Sequence, residues 1–594
     1  MDPENNRRNF LRFGFTLASG ILTPVSLNSC RRDERENGGS RPQQTFVQPA
    51  MLEAKDGLLD LTLTASYFDT KLSGSNPSRQ YAVSLRAYGY DANGPNYCGP
   101  SLVVRGGDQL RIELINQLPV NPPFVAFRDP TNYMKPNTTN LHTHGLHVFP
   151  GIYSEKNPLE YGDYVVDPNT GGVIPQGGAR QYVYNLPLNH PAGPFYYHPQ
   201  YHGSSALQVA SLMAGAILVR GPVDDLPEMA QANELIFLFQ GPYFAKNEAV
   251  DNYGVKKSTL EKFSQIANHP TGDGIKRSDM NHNDLAAAPV LINGVRQPTI
   301  VMESGEVQRW RFINTQVFNC LNLNLDGHTL QQYTSDGWGS IAYQDYPDAR
   351  QKGGRGIVLS AGNRSSVIVK AGAPGTYLLR SLPISIAQGA QIAVLSGDIL
   401  AKVIVIEAAK ASKQKKSTAI PAVPLPISEF LKPITDEEFA NAGGKKRSII
   451  FNMLGNDVLG PSADAQSIWK SAYFALTTPN PIPSYEYQLQ PSNTITQNVI
   501  LGAVEEWTIF NCNSISHPFH IHVNPMYVTK INGNSIQPYW CDTIALPSGG
   551  TPGQPKSITF RMRFVSFTGP YLMHCQMLHH SDLGMIQHVT VVPV

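Results

Sequence analysis

The chain has 594 residues, more than one hydrophobic core usually holds, so several domains are expected. It has 41% apolar and 16% charged residues, and its formal charge of +1 gives no support for binding to nucleic acid or to an anionic membrane surface. The 50 glycines and 46 prolines indicate many turns and short strands, which favours an all-β fold.

Residues 1–44 predict an export signal followed by a linker. Arg7 and Arg8 precede an apolar stretch from 13 to 27, which is too short for a membrane-spanning helix. This arrangement resembles a twin-arginine signal, and a general secretory signal is the alternative. The segment "LNSC" places Cys30 where a lipoprotein signal is cut and lipidated. We therefore predict a periplasmic or envelope-attached protein, with Cys30 as the candidate membrane anchor.

Two sets of three segments repeat along the chain. Alternating apolar residues, typical of a half-buried strand, run between a glycine and an asparagine nine residues later in 103–116, 300–314 and 499–511. The second set begins at Gly193, Gly375 and Gly569. Repetition at intervals of about 200 residues predicts three copies of one Greek-key β-sandwich. We place the copies at 45–222, 223–410 and 426–594, with the lysine- and proline-rich segment 411–425 as a solvated linker.

Histidines are concentrated in the first and third copies. In the middle copy, His328 is the one histidine near an equivalent position. A metal site is therefore expected between the first and third copies, with the middle copy as a spacer. The candidate histidines are His142, His144, His198, His202, His517, His520, His522, His574, His579 and His580.

The segment "HCQMLHHSDLGM" predicts a copper site. A cysteine thiolate, two imidazoles and a thioether are the ligands of a blue electron-transfer copper. Cys575, His580 and Met585 supply three of them, and His517 supplies the fourth. The alternative is a buried free cysteine beside core histidines, which four ligands at matching spacings argue against.

Two His-x-His pairs predict a second site. His142 and His144 lie two residues apart on a predicted strand and so share a face, and His520 and His522 do the same. Such pairs from two domains, facing each other, can build a polynuclear metal site.

In an oxidising compartment, to which the export signal points, the remaining cysteines could form disulfides. If Cys30 is lipidated and Cys575 binds metal, four cysteines remain, enough for up to two disulfides whose pairing is not specified by the sequence. They are Cys98, Cys320, Cys512 and Cys541.

With these motifs the chain resembles the multicopper oxidases, the family of laccases, ferroxidases and ascorbate oxidase. The resemblance implies three cupredoxin-like domains, a type 1 copper in the last, and a trinuclear cluster between the first and third. By resemblance, Cys575 and His574 carry electrons between the two sites and are the candidate catalytic residues. The implied ligands are His517, Cys575, His580 and Met585 for type 1, His142 and His520 for type 2, and His144, His198, His522 and His574 for type 3.

Two positions depart from the family pattern. Gln200 in "YHPQYHG" and Gln576 in "HCQ" stand where the family has histidines, so each type 3 copper loses one imidazole. Glutamine offers a neutral amide oxygen, a hard and weak ligand for copper. Two interpretations stay open: drift in a protein that no longer reduces oxygen, or a tuned or partly filled cluster. His202 and His579 are out of register as substitutes, which favours a surface role for them.

A third departure concerns proton supply. Family members often carry an acidic residue directly after the last type 1 histidine, where this chain has Ser581, with Asp582 one residue further. Asp163 in "YGDYVV" matches the family's other acidic residue by a loose alignment. Impaired proton delivery is therefore expected.

These observations predict a copper-dependent oxidase. Its reductant would be a phenol, a quinol or a metal ion, and its electron acceptor dioxygen. A methionine-rich insert of the kind found in cuprous oxidases is absent from the sequence, so copper-ion oxidation is not favoured. The alternative is a cupredoxin-fold electron carrier or copper store that does not reduce oxygen. An interaction scaffold without copper is a third class, and the intact type 1 set argues against it.

Overall fold

The computed structural model describes most of the chain from residue 44 onward, and the predicted export signal and Cys30 lie outside the described residues. No helix within that description is long and apolar enough to cross a membrane. The described residues are 44–73, 80–121, 135–153, 160–166, 172–242, 290–317, 319–384, 398–408, 416–452, 473–477, 496–551, 553–582 and 585–594.

The first stretch of chain folds into two five-stranded sheets. In chain order its strands are β1 Met51–Glu53, β2 Leu58–Ser73, β3 Gln80–Tyr90, β4 Ser101–Arg105, β5 Gln109–Asn116, β6 His142–His144, β7 Glu160–Tyr161, β8 Ala179–Asn185, β9 Gly193–His198 and β10 Gly215–Arg220. The sheet orders are β1-β4-β10-β9-β6 and β3-β2-β5-β8-β7.

The middle stretch forms a seven-stranded and a five-stranded sheet. Its strands are β11 Asn233–Gln240, β12 Leu291–Ile292, β13 Val295–Arg296, β14 Thr299–Glu303, β15 Val307–Asn314, β16 Leu321–Leu325, β17 Leu330–Ser335, β18 Trp338–Tyr346, β19 Ile357–Leu359, β20 Arg364–Lys370, β21 Gly375–Ser381 and β22 Asp398–Ile406. The orders are β13-β12-β11-β15-β20-β17-β18 and β14-β22-β21-β16-β19.

The last stretch forms a six-stranded and a five-stranded sheet. Its strands are β23 Lys446–Asn452, β24 Tyr473–Thr477, β25 Thr496–Ile500, β26 Val504–Asn511, β27 Pro518–Ile521, β28 Met526–Ile531, β29 Asn534–Cys541, β30 Thr543–Ala545, β31 Lys556–Arg563, β32 Gly569–Cys575 and β33 Ile586–Val592. The orders are β24-β23-β26-β31-β28-β29 and β25-β33-β32-β27-β30. The described helices are α1 Ser205–Ala210, α2 Pro227–Gln231, α3 Asp436–Asn441, α4 Leu578–Asp582 and the 3₁₀ turn Glu429–Leu431.

Each pair of sheets encloses an apolar core, so the all-β prediction of three cupredoxin-like sandwiches is confirmed. Leu61 of β2 and Ile217 of β10 belong to the first core, and Trp310 of β15 and Val403 of β22 to the second. The third core includes Cys575 of β32 among its apolar members. The domain boundaries given above remain predictions.

The repeated glycine marks a corner between two sheets. The half-buried strand predicted between the glycine and the asparagine is present as β5, and the residues before Gly107 form β4, which belongs to the other sheet. Gly107 lies between them with φ 93°, and Gly305 and Gly502 occupy the same place with φ 82° and 91°. Glycine adopts this left-handed conformation without the steric cost that other residues meet.

The repeated asparagine fixes the loop that follows each corner strand. The Nδ2 group of Asn116 donates to the carbonyl oxygens of Asn137 (2.7 Å) and Ile174 (2.9 Å). Asn314 and Asn511 each donate to two loop carbonyl oxygens in the same way. A buried amide with these partners explains why the asparagine recurs at one position in all three copies.

The described part of the predicted linker, residues 416–425, is packed and does not form a solvated tether. Lys416 pairs with Glu303 (2.8 Å) and Glu306 (3.2 Å), which belong to the middle sandwich. The side chain of Leu425 is buried in an apolar cluster with residues of that sandwich. Residues 416–425 are therefore held against the middle stretch, whereas 411–415 lie outside the described residues.

The described cysteines form none of the up to two disulfides that their number allows. Cys98, Cys320, Cys512, Cys541 and Cys575 are all free thiols. Four of them are buried and Cys98 is half-buried. Burial raises the pKa of Cys98 and Cys320 to about 12, so these thiols are protonated at neutral pH.

Candidate metal centre

One cluster of candidate ligands is built from β32 and the loops beside it. The Cys575 Sγ atom lies 3.6 Å from Nδ1 of His517 and 3.7 Å from Nδ1 of His580. All three side chains are buried, and His517 is held from its other nitrogen by Asn513 Oδ1 at 3.1 Å. A thiol and two imidazole nitrogens therefore converge on one point.

The backbone brings Met585 to the same cluster. The Met585 amide donates to the carbonyl of His580 (3.0 Å), and its carbonyl accepts from the amide of Cys575 (3.1 Å). Met585 is fully buried in the apolar core that contains Cys575. The four residues assigned to one site from the sequence are thus neighbours in the fold.

The donor set of this cluster fits a soft metal ion. Burial raises the pKa of the Cys575 thiol and lowers the pKa of His517 to about 3. An unpaired thiolate would be unstable in this apolar setting, but a bound cation reverses that preference. Neutral imidazole is the form that ligates metal, and burial keeps His517 in that form at neutral pH.

A second cluster forms where the two His-x-His pairs face each other. His142 and His522 stack with ring centroids 3.8 Å apart, and His144 and His520 stack at 3.7 Å. Strand pairing adds two more imidazoles: His142 is opposite His198 on β9, and His520 is opposite His574 on β32. The structure therefore brings together six of the predicted histidines.

The nitrogen atoms of this cluster are arranged as ligands would be. His144 Nδ1 lies 3.5 Å from His198 Nε2, and His522 Nε2 lies 3.2 Å from His574 Nε2. The Nε2 atoms of His142 and His520 are buried without a hydrogen-bond partner. Buried polar atoms are rarely left in this state, so the arrangement fits bound metal ions.

The outer nitrogens of the cluster are held by neighbouring oxygen atoms. His198 Nδ1 lies 2.9 Å from the carbonyl of Pro199, and His574 Nδ1 lies 3.1 Å from the carbonyl of Cys575. Burial lowers the pKa of His142 to about 3 and that of His520 to about 4. The imidazoles are therefore neutral, with their tautomers set by these contacts.

Asp163 joins the two His-x-His pairs. Its carboxylate lies 2.9 Å from His142 Nδ1 and 3.3 Å from His522 Nδ1, and it accepts from the Thr143 amide at 2.9 Å. Burial opposes ionisation, but His142 and His522 outweigh it and hold the pKa of Asp163 well below its usual range. A carboxylate in this position orients imidazoles from both ends of the chain.

Asp542 and Thr543 form a second bridge, which the sequence analysis missed. Thr543 Oγ1 lies 3.0 Å from His144 Nε2 and 3.0 Å from His520 Nδ1. The Asp542 carbonyl lies 2.9 Å from the same His520 nitrogen. Asp163 therefore holds one stacked imidazole pair, and Asp542 together with Thr543 holds the other.

The middle stretch is more than a spacer, which corrects the sequence-based expectation. Arg364 donates two bonds of 2.6 Å to the Asp542 carboxylate and one of 2.6 Å to the carbonyl of Asp336. Arg364 also donates to the carbonyl of Pro194 at 3.2 Å, so it contacts all three parts of the chain. Burial and the charge of Asp542 raise the pKa of Asp336 to about 7.

Both glutamines are buried, and Gln576 lies beside the histidine cluster. Gln576 Nε2 donates to the Tyr196 hydroxyl at 3.1 Å, and Gln200 Nε2 reaches Ser581 Oγ at 3.5 Å. A Cβ atom added at Gly362 would lie 2.7 Å from Gln576 Cγ and 3.0 Å from His144 Cε1. Gln576 and His144 therefore lie against the same glycine of the middle stretch.

Asp582 does not stand in for the missing acidic residue. Its carboxylate accepts from the backbone amides of Gly203 (2.7 Å), Ser205 (3.2 Å) and Ala206 (2.9 Å) at the start of α1. It is thus engaged as a tie between the last and first parts of the chain. His202 is half-buried beside Gln200 along a small cavity, and the side chain of His579 lies outside the described residues.

The two clusters are joined directly by the chain. His574 and Cys575 are consecutive residues of β32. His574 belongs to the cluster of six histidines, and Cys575 belongs to the cluster with His517 and His580. Such a covalent connection is a short path for electrons between two metal sites.

Comparisons with known proteins point to the multicopper oxidases. Two family models described as multicopper oxidase match residues 264–398 and 466–594. A multicopper oxidase of Staphylococcus haemolyticus is 22% identical over 576 residues, covering 95% of this chain and 96% of that protein. Laccase-3 of Botryotinia fuckeliana is 24% identical over 522 residues, covering 82% and 98%. The crystal structure of a laccase from Pediococcus acidilactici aligns with TM-score 0.62 at 18% identity, over 93% of this chain and 94% of that one.

Proposed function

The chain belongs to the multicopper oxidase family and is an oxidase, and on that premise we propose a laccase-like reaction. A phenol, a quinol or a metal ion is oxidised one electron at a time, and dioxygen is the final acceptor. The observation that carries the proposal is the approach of Cys575 Sγ to His517 and His580, at 3.6 and 3.7 Å, directly beside the facing His-x-His pairs.

Copper is the proposed metal at both clusters. It supplies one-electron redox chemistry, and the mixed sulfur and imidazole donors at Cys575 suit both of its oxidation states. His517, Cys575, His580 and Met585 would hold one ion. Burial of these side chains excludes water, and the loop from Cys575 to Met585 keeps the donors in place through its backbone hydrogen bonds.

The histidine cluster is the proposed site of oxygen reduction. His142 and His520 present unpartnered Nε2 atoms, and His144, His198, His522 and His574 surround them. Asp163 is proposed to orient His142 and His522 as an ionised carboxylate, and Asp582 is occupied by backbone amides, so neither supplies protons here. Serine at 581 carries no ionisable proton donor, so proton supply is expected to limit the reaction.

An electron carrier or copper store is the second candidate, and the glutamines favour it. Without oxygen reduction, the metal at Cys575 would accept one electron and dioxygen would not reoxidise it. We favour the oxidase because six imidazoles still converge on the second cluster, and an electron carrier with one copper does not require these additional buried polar groups.

We also propose that the protein acts in the periplasm or at the cell envelope. The support is the pair Arg7 and Arg8 before an apolar stretch, with Cys30 as the candidate anchor.

The experiment is oxygen uptake by the copper-loaded protein with a phenolic reductant. We expect uptake that continues over many turnovers, is absent from the copper-free protein, and is lost in Cys575→Ser. A single stoichiometric oxidation without oxygen uptake would instead establish the electron carrier.

A further inference from the structure

We infer that Gln200 and Gln576 are themselves metal ligands, each through Oε1, and that Ser581 and Tyr196 orient their amides. The inference rests on the proposed function, because it concerns the copper ions of the histidine cluster. On this inference, Gln200 and Gln576 are not the result of drift. At each position an oxygen ligand takes the place of an imidazole.

The first observation is that both amide oxygens are unpartnered. Gln200 and Gln576 are each 1% exposed, and Oε1 of each is buried without a hydrogen-bond partner. Leaving a buried acceptor unpaired costs free energy, and native proteins seldom do so. The same property marks the Nε2 atoms of His142 and His520 in this cluster. Cations bound at this cluster would give all four atoms a partner.

The second observation is that both amide nitrogens are occupied. Gln576 Nε2 donates to Tyr196 OH at 3.1 Å, and Gln200 Nε2 is 3.5 Å from Ser581 Oγ. A hydroxyl that accepts from the amide nitrogen turns the amide oxygen the other way. Two glutamines from different parts of the chain thus share one arrangement, nitrogen to a hydroxyl and oxygen unpaired.

The third observation is that the backbone at each glutamine is fixed. The Gln200 amide donates to Asn140 Oδ1 (2.8 Å), and Asn140 Nδ2 donates back to its carbonyl (3.1 Å). The Gln576 amide donates to the carbonyl of Pro518 at 2.7 Å. Each glutamine is therefore placed with little freedom, as a ligand must be.

Tyr196 connects one glutamine to its imidazole partners. Its ring stacks on His144 at 4.5 Å and on His198 at 4.9 Å, and its hydroxyl accepts from Gln576. Gln576 also lies against Gly362 together with His144. These contacts assign Gln576 to the ion of His144 and His198, which leaves Gln200 for the ion of His522 and His574.

An amide oxygen binds copper more weakly than imidazole does, so two of the ions should be held less tightly than the one at Cys575. The serine at position 581, where family members often have an acidic residue, then has a reason. Its hydroxyl can accept a hydrogen bond from the Gln200 amide nitrogen without adding a charge.

The experiment counts copper per chain in the wild type and in Gln200→Leu and Gln576→Leu, with the blue absorption of Cys575 as internal reference. Leucine keeps the approximate size and removes the oxygen. We expect about four ions in the wild type and one fewer in each variant, with the blue band unchanged. Gln576→Glu, which keeps an oxygen donor, should retain the ion and shows whether loss in the leucine variant is caused by misfolding.

Tyr196→Phe tests the positioning role, with Tyr197→Phe as its matched control. Tyr197 is the next residue of β9, and its hydroxyl donates to the carbonyl of Pro100 at 2.9 Å, away from the glutamine. We expect Tyr196→Phe to weaken binding of one copper by about 10-fold or more, and Tyr197→Phe to leave it unchanged.

Full copper retention in both leucine variants would overturn the inference. A wild-type protein that is blue but holds one copper would also overturn it, while leaving the proposed Cys575 site intact. Absence of the blue band would count against the proposed function itself, so the two failures are distinguishable.

Discussion

Replacing Arg364 with leucine should destabilise the protein strongly and also weaken its metal cluster. The guanidinium is fully buried and makes two bonds of 2.6 Å to Asp542. Its removal leaves the Asp542 carboxylate buried without a charged partner, although Trp338 Nε1 (3.1 Å) and Thr543 Oγ1 (2.9 Å) still donate to it. Breaking a buried ion pair in this way costs about 3–5 kcal/mol. Because Asp542 and Thr543 fix His144 and His520, the same change should lower copper retention.

Urea unfolding of the copper-free protein measures this cost. Arg380→Leu is a matched control in the same part of the chain, because Arg380 is half-buried and pairs with Asp326 at 3.2 Å; its loss should cost at most about 1 kcal/mol. Adding Asp542→Asn to Arg364→Leu removes the unpaired charge and should recover part of the stability. An Arg364→Leu protein as stable as the Arg380→Leu control would refute the reasoning.

Three further predictions follow from named residues. Met585→Leu should keep the blue band and raise the reduction potential, measured by redox titration; loss of the copper would show that Met585 is required to hold the metal. Burial lowers the pKa of His147 to about 4, below its unfolded value of about 6.5. As the pH falls below 6.5, the unfolded chain takes up a proton at this residue before the folded chain does, so the free energy of unfolding decreases, by about 2 kcal/mol at pH 5. His147→Gln, which cannot take up that proton, should therefore lose about 2 kcal/mol less between neutral pH and pH 5 in urea unfolding, and an unchanged pH dependence would contradict this. Replacing Arg7 and Arg8 with lysine should trap the precursor in the cytoplasm by cell fractionation, whereas normal export would indicate the general secretory route.

The sequence predicted the parts of the site that lie within short motifs. The spacing in "HCQMLHHSDLGM" and in the two His-x-His pairs identified the candidate ligands, because a strand places every second side chain on one face. The repeats likewise predicted the three sandwiches. The alternation after each repeated glycine predicted one strand, but it did not show that the residues before the glycine belong to the other sheet, with a turn of positive φ at Gly107 between β4 and β5.

The supporting residues could not be predicted, because their partners are distant in sequence. Arg364 and Asp542 are 178 residues apart, and neither belongs to a repeated motif. The contact of Gln200 with Ser581 spans 381 residues, so two departures from the family pattern that looked independent are neighbours. The alternating apolar pattern predicts which face of a strand is buried. It does not predict which buried polar groups of two sandwiches will contact each other.

The most direct test of the account is the visible absorption spectrum of the oxidised, copper-loaded protein. If Cys575 binds copper as a thiolate, the wild type should show an intense band near the visible red, and Cys575→Ser should lose it entirely. Wild-type protein that binds copper but has no such band would contradict the assignment of the site.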